Sequence, residues 1–295
     1  MAKTMFQEIR SNVFRSYLLV FFFFIFVGIV GTIIGLVWTG DWITGIILSF
    51  IIGFVYTIIV FSQGKTMVLK LANAKLVTKR EFPHLFHAVE GLAVAAGMKV
   101  KPEVYVIPDK AMNAFATGYK PEKSAIAVTT GLLETLNREE LEGVIAHEMS
   151  HIKNLDIRVM MLAAVLVGVI SLLSHIFLRS LWFRNNDRDN KIGMIMMIVG
   201  IVLAIFSPLI ANMIKLAVSR KREYLADATG ASLTRYPPGL ANALEKIKGD
   251  SNKLKHASNA TAHLFISNPI KKQLFSSLFS THPPIDERIK RLRSM

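Results

Sequence analysis

The chain has 295 residues, 52 % of them hydrophobic, and a positive mean hydropathy, which sets it outside the ordinary soluble class. Lysine and arginine exceed aspartate and glutamate by 14 (35 against 21), which in so apolar a chain reads as cationic loops held at an anionic membrane face. No basic run is interleaved with aromatics, which argues against nucleic-acid binding, and the lack of cysteine excludes disulfides, iron–sulfur centres and thiolate zinc sites.

In chain order, Tyr17–Trp38 and Trp42–Ser62 carry no charge, and as helices each is long enough to cross a hydrocarbon layer of about 30 Å. Only a few residues around Gly40 and Asp41 join them. The first span has no small-residue cleavage site after it and is read as a retained anchor. A third span, Val159–Leu178, contains one ionisable residue, His175; a fourth, Ile192–Ile214, contains none and is kinked at Pro208. Lys3, Arg10 and Arg15 precede the first span and Lys65, Lys70, Lys75, Lys79 and Arg80 follow the second, which puts both termini in the cytoplasm. Arg179, Arg184, Arg188 and Lys191 between spans three and four work mildly against that orientation.

The division that follows is a transmembrane hairpin (1–62), the first part of a cytoplasmic domain (63–158), a second hairpin (159–214) and the remainder of the cytoplasmic domain (215–295). Within the first cytoplasmic part, Leu85, Phe86, Val89, Leu92 and Ala96 recur at helical spacing and end at Gly97. The runs 103–107 (EVYVI), 113–118 (NAFATG) and 124–131 (SAIAVTTG) are short and β-prone, as in a small antiparallel sheet. Asn137 and Glu140 have the spacing of a capping box that opens a helix carrying VIAHEMSH (144–151). Helices are also expected over 237–249 and after Pro283 and Pro284.

On a helix His147 and His151 project from one face at the separation a metal ion requires, whereas Glu148 is rotated by about 100°. Glu148 then sits beside the metal, placed to take a proton from a bound water. The extended metzincin pattern needs a glycine and a third histidine where this chain has Asn154 and Ile157. A distant carboxylate remains, and 219–230 (SRKREYLADATG) offers Glu223 and Asp227, four apart on one face. His151 lies eight residues before span three and Glu223 nine after span four, so two continuous helices would bring them to similar heights, about 12 and 14 Å from the membrane. Asp227 suits a hydrogen bond to the outer nitrogen of a ligand histidine. The bland alternatives are an ion pair of Glu223 with Arg220 or Lys221 and a surface carboxylate at Asp227.

These pieces resemble the HtpX family of membrane-bound zinc metalloproteases, relatives of the CAAX prenyl proteases. The resemblance rests on two N-terminal spans, NAFATG, GLLETLNREELEGVIAHEMSHIKNLD, a second hairpin, SRKREYLAD and STHPP, in that order over nearly the whole chain. It implies an α-helical integral membrane protein of four transmembrane helices with an α+β gluzincin-like metallopeptidase domain. It further implies one zinc ion per chain on His147, His151 and Glu223, Glu148 as general base, and Asp227 orienting His147. By the same resemblance Asn113 bonds substrate backbone along an exposed strand edge, with Ala114 and Phe115 lining the cleft. Residue types alone read Asn113 equally as a turn residue and Phe115 as a core residue. His282 in THPP is either a donor to the tetrahedral oxyanion, as the resemblance implies, or a surface turn histidine.

The expected activity is hydrolysis of peptide bonds in misfolded or damaged membrane proteins at the cytoplasmic membrane of a bacterium. The lipid bilayer and protein or peptide substrates are the partners, and the oligomeric state is left open. Three rivals compete: a metal-dependent transporter, for which the spans supply only His175; a scaffold with a closed structural metal site; and an exported protease with inverted topology.

Overall fold

The computed structural model describes residues 5–38, 40–166, 220–255, 261–267 and 283–295. The predicted third span beyond residue 166, the fourth span, His175, Pro208 and His282 lie outside these residues.

Helix α1 (Met5–Trp38) and helix α2 (Trp42–Leu71) contain the two described segments long and apolar enough to cross a membrane, Ile9–Ile33 and Trp42–Leu71. They turn at Gly40, whose φ of 73° suits glycine, and Asp41 caps α2 by accepting from the Ile43 and Thr44 amides. The two run antiparallel with backbones in close approach: a methyl group on Gly35 would lie 2.7 Å from the Gly45 Cα. Glycines at such a crossing let apolar helices pack where no hydrophobic gradient drives them together. Ile47, Ile51, Phe54 and Ile58 stay exposed on the outer face of α2, as a lipid-facing surface requires.

Beyond the hairpin come β1 (Lys75–Leu76), α3 (Pro83–Ala95), β2 (Glu103–Ile107), β3 (Ala114–Gly118), β4 (Ser124–Thr129), α4 (Thr130–Thr135) and α5 (Arg138–Lys153). Then follow α6 (156–166), α7 (Arg220–Thr234), α8 (Pro237–Gly249) and α9 (Ile285–Arg293). The three predicted strands form, but the sheet is mixed. Its order is β1-β2-β4-β3, with β2 and β4 parallel and the other pairs antiparallel. The reason is that β3 and β4 form a hairpin that docks through its second strand, leaving β3 outermost.

Both faces of this sheet are covered. Val104, Val106, Ala114, Ala116, Ile126 and Val128 point into a core shared with α3, α5, α7 and α8. The alternate residues Ile107, Phe115, Ala125 and Ala127 share a second apolar cluster with Leu19 and Phe23 of α1, Val60 and Val68 of α2, and Val159–Leu166 of α6. Strand alternation therefore joins the α/β core directly to the apolar hairpin. Arg158 of α6 fastens this junction, its guanidinium 5.4, 5.8 and 4.5 Å from the rings of Tyr17, Phe61 and Tyr119.

One expectation about helices fails. The helix bearing His147 and His151 does not continue into the third span: α5 ends at Lys153, Leu155 takes φ of 59°, and α6 starts afresh at residue 156. A straight helix would place Asp156, five residues after His151, about 140° away around the axis. The break returns Asp156 to His151, so local packing rather than helix continuity sets the height of this part of the site.

Candidate metal centre

α5 opens with the predicted capping box: the Asn137 side chain accepts from the Glu140 amide at 2.9 Å, and Glu140 accepts from the Asn137 amide at 2.9 Å. With its start fixed, the helix presents His147 and His151 on one face, both buried, their Nε2 atoms 3.2 Å apart. α7 packs tightly alongside: a Cβ on Gly230 would stand 3.0 Å from the His147 amide nitrogen. That approach brings Glu223 and Asp227, on successive turns of α7, against the two imidazoles. Glu223 Oε2 lies 3.7 Å from His147 Nε2, and Oε1 lies 3.5 Å from His151 Nε2. One ligand atom from each of His147, His151 and Glu223 falls within 4.8 Å of the others.

A carboxylate stands behind each imidazole. His147 Nδ1 is 2.9 Å from Asp227 Oδ1, and His151 Nδ1 is 3.0 Å from Asp156 Oδ2. Each carboxylate has its own arginine. Arg288 of α9 grips Asp227 with two bonds, Nε to Oδ2 at 2.9 Å and Nη2 to Oδ1 at 2.7 Å, and donates a third to the Ile266 carbonyl at 3.0 Å. Arg222 Nη1 donates to Asp156 Oδ1 at 3.0 Å, and the Asn12 side chain from α1 donates to the same oxygen at 2.7 Å.

Electrostatics follow from this layering. Burial pushes the Glu148 carboxyl up, against the pull of His147 and His151 and of the Ala116 amide that donates to it. Burial would push Asp227 and Asp156 up as well, but Arg288 and His147 hold Asp227 well below the usual carboxylate range, and Arg222 and His151 hold Asp156 down. Burial favours neutral His151, yet the Asp156 hydrogen bond and the nearby Glu223 raise it to about 9. The pocket attracts positive charge.

The donor set suits a metal cation. With each Nδ1 turned to its carboxylate, both Nε2 atoms face each other and the Glu223 carboxylate. Two imidazole nitrogens and a carboxylate converging in a pocket that draws in positive charge form a donor set that a metal cation satisfies.

Comparison with known proteins agrees with this geometry. Residues 79–295 match the family model of Peptidase family M48. The chain belongs to peptidase family M48. Curated relatives of this M48 peptidase include a Protease HtpX homolog of Caldanaerobacter subterraneus, 46 % identical over 299 residues, covering 99 % of this chain and 98 % of that one. A Protease HtpX homolog of Streptococcus gordonii is 41 % identical over 297 residues, covering 99 % of this chain and 100 % of that one. Among solved structures, Ste24p of S. mikatae has a similar fold, with a TM-score of 0.50 and 20 % identity; the match takes in 97 % of this chain and 66 % of that one. The resemblance read from the sequence is thus correct at the family level, and the protein is a membrane-bound metalloprotease.

The predicted substrate residues of this M48 peptidase do not form an open edge. β3 is the outermost strand, but all five of its residues are buried. The segment 261–267 covers it: the Ala114 carbonyl accepts from the Ile266 amide at 2.9 Å, the Asn113 side chain donates to the Ser267 carbonyl at 2.9 Å, and Phe115 meets Phe265 edge-on at 5.0 Å. Phe115 sits in the core, the alternative that residue type allowed.

Asp156, Arg222, Arg288 and Asn12 belong to the site's surroundings and were not singled out from sequence. Signals existed for two of them. Asp156 closes the quoted HEMSHIKNLD stretch, and Arg288 sits among Ile285, Ile289 and Leu292, the apolar stripe of α9. Arg222 reads from sequence as membrane-boundary charge in SRKR, yet it is buried against Asp156. Nothing in the sequence near Asn12 points to a contact 144 residues away.

Proposed function

We propose that the chain is a zinc-dependent endopeptidase in which His147, His151 and Glu223 hold one zinc ion and Glu148 is the general base. The observation that carries this reading is the pair of Nε2 atoms 3.2 Å apart beside the Glu223 carboxylate, with both Nδ1 atoms committed to aspartates. Two nitrogens bound to a tetrahedral zinc at about 2.05 Å stand about 3.3 Å apart, which fits.

When bound, zinc supplies the Lewis acidity that polarises a scissile carbonyl and lowers the pKa of water toward about 7. Glu148, next to both imidazoles and nearly excluded from solvent, takes the proton of the attacking water and delivers it to the leaving amine. Its upward-shifted pKa suits both halves of that transfer. Asp227 and Asp156 accept the Nδ1 protons of His147 and His151, which keeps both Nε2 atoms free to coordinate. The outer edge of β3 is paired with 261–267, the Ala114 carbonyl with the Ile266 amide and the Asn113 side chain with the Ser267 carbonyl, so a substrate strand reaching Asn113, Ala114 and Phe115 would take the place of that segment. His282 stays a candidate oxyanion donor.

Protein substrates, misfolded membrane proteins among them, fit a catalytic domain built directly onto a transmembrane hairpin. The basic residues flanking that hairpin support cytoplasmic termini in a bacterial cytoplasmic membrane, and the apolar runs 159–178 and 192–214 support four spans. Glu148→Gln is expected to keep zinc while losing casein cleavage; turnover by that variant at the wild-type rate would overturn the assignment. His282→Ala should also keep zinc, whereas loss of the metal would mean a closed, four-ligand structural site.

A further inference from the structure

A membrane anchor has no need of a buried amide, yet α1 carries one. Asn12 is fully buried, and each polar end of its side chain is committed behind His151. Nδ2 donates to Asp156 Oδ1 at 2.7 Å and to the Asn154 carbonyl at 2.9 Å, and Oδ1 accepts from Arg222 Nη1 at 3.3 Å. These three partners are the features that place Asp156: its own carboxylate, the arginine that shares that carboxylate oxygen, and the carbonyl just before the Leu155 break that turns Asp156 back toward His151. Asp156 in turn meets His151 Nδ1 at 3.0 Å.

We propose that Asn12 is a positioning residue for the metal ligand His151, acting through Asp156, so that the metal site is complete only with the first membrane helix docked. The inference rests on the reading of His147, His151 and Glu223 as a zinc site. A residue that served only to dock α1 would need any buried polar partner; Asn12 instead bonds both sides of the α5–α6 break and the cation that crosses it. An outer hydrogen-bond partner of a ligand histidine typically changes metal affinity by about ten-fold or more when removed. Asn12 stands one bond further out, and the lower end of that range applies.

The test uses the full-length protein in detergent and three variants. Asn12→Ala removes the amide. Asn12→Asp keeps its shape and its acceptor toward Arg222 but cannot donate to Asp156. Leu19→Ala, elsewhere on α1 in the apolar cluster, weakens helix packing without touching Asp156. Zinc affinity is read by competition with a chelator, stability of the metal-free protein by thermal unfolding, and cleavage with and without saturating zinc. Both Asn12 variants should surrender zinc about ten-fold more readily than wild type, with cleavage restored by excess zinc, while Leu19→Ala melts lower and keeps wild-type affinity. Wild-type affinity in both Asn12 variants, or an equal loss in Leu19→Ala, would overturn the role of Asn12 while leaving the zinc site standing. A wild-type chain that holds no stoichiometric zinc would overturn the zinc reading itself.

Discussion

Arg288 is the most enclosed cation in the described structure, and its cost is met by geometry: two bonds to Asp227 and one to a backbone carbonyl leave its three nitrogens partnered. Removing one member of such a buried pair strands the other charge. Arg288→Ala is therefore expected to destabilise the fold by about 3 kcal/mol and to loosen His147, read as a lower melting temperature together with reduced metal retention. Asp156→Asn tests the other side, since the amide keeps the size but offers His151 a poorer acceptor; a loss of metal affinity of about ten-fold is expected in chelator competition. The inner residues were legible because ligand spacing on a helix is a local property: His147, Glu148 and His151 declare themselves within five positions, and Glu223 with Asp227 within another five. The outer residues were not, because a charge that neutralises a carboxylate can come from anywhere in the fold. Arg222 and Arg288 look in sequence like ordinary basic residues of an already basic chain.

At the level of elements, the contacts that matter are the α5–α7 approach at Gly230 and the α5–α6 break. A side chain at Gly230 would push against the His147 backbone, so Gly230→Val should cost about 1–3 kcal/mol and separate Glu223 from the histidines, lowering metal content. Leu155 holds a left-handed conformation in which a β-branched residue is a genuine outlier; Leu155→Val should lower stability, and thermal unfolding in detergent would measure it. The helices over 83–95, 138–153, 237–249 and 285–293 follow from periodicity, prolines and caps, and all were legible. The break was harder to see, because Asn154 at the C-cap is a weaker stop signal than glycine or proline. Strand positions were also legible, but not their mixed pairing, since β propensity carries no information about which edge of a hairpin docks.

Across the whole molecule, the sheet has one face in the peptidase core and the other on the membrane hairpin, and Asn12 reaches from the first membrane helix to the shell behind His151. Hydropathy separates the hairpin from the rest of the chain, but it records where apolar residues lie along the sequence and not which of them meet. The alternation in β3 and β4 hides this contact, since runs of small and apolar residues such as Ser124–Thr129 suit burial on two faces without naming the second partner. A hairpin so integrated is part of the enzyme's architecture as well as its anchor. Zinc content per chain measured beside cleavage in wild type and Glu223→Ala decides whether α5 and α7 together hold one catalytic zinc. One zinc with active cleavage in wild type, and neither in Glu223→Ala, is the expected result; a Glu223→Ala protein that retains one zinc and cleaves at the wild-type rate would contradict it.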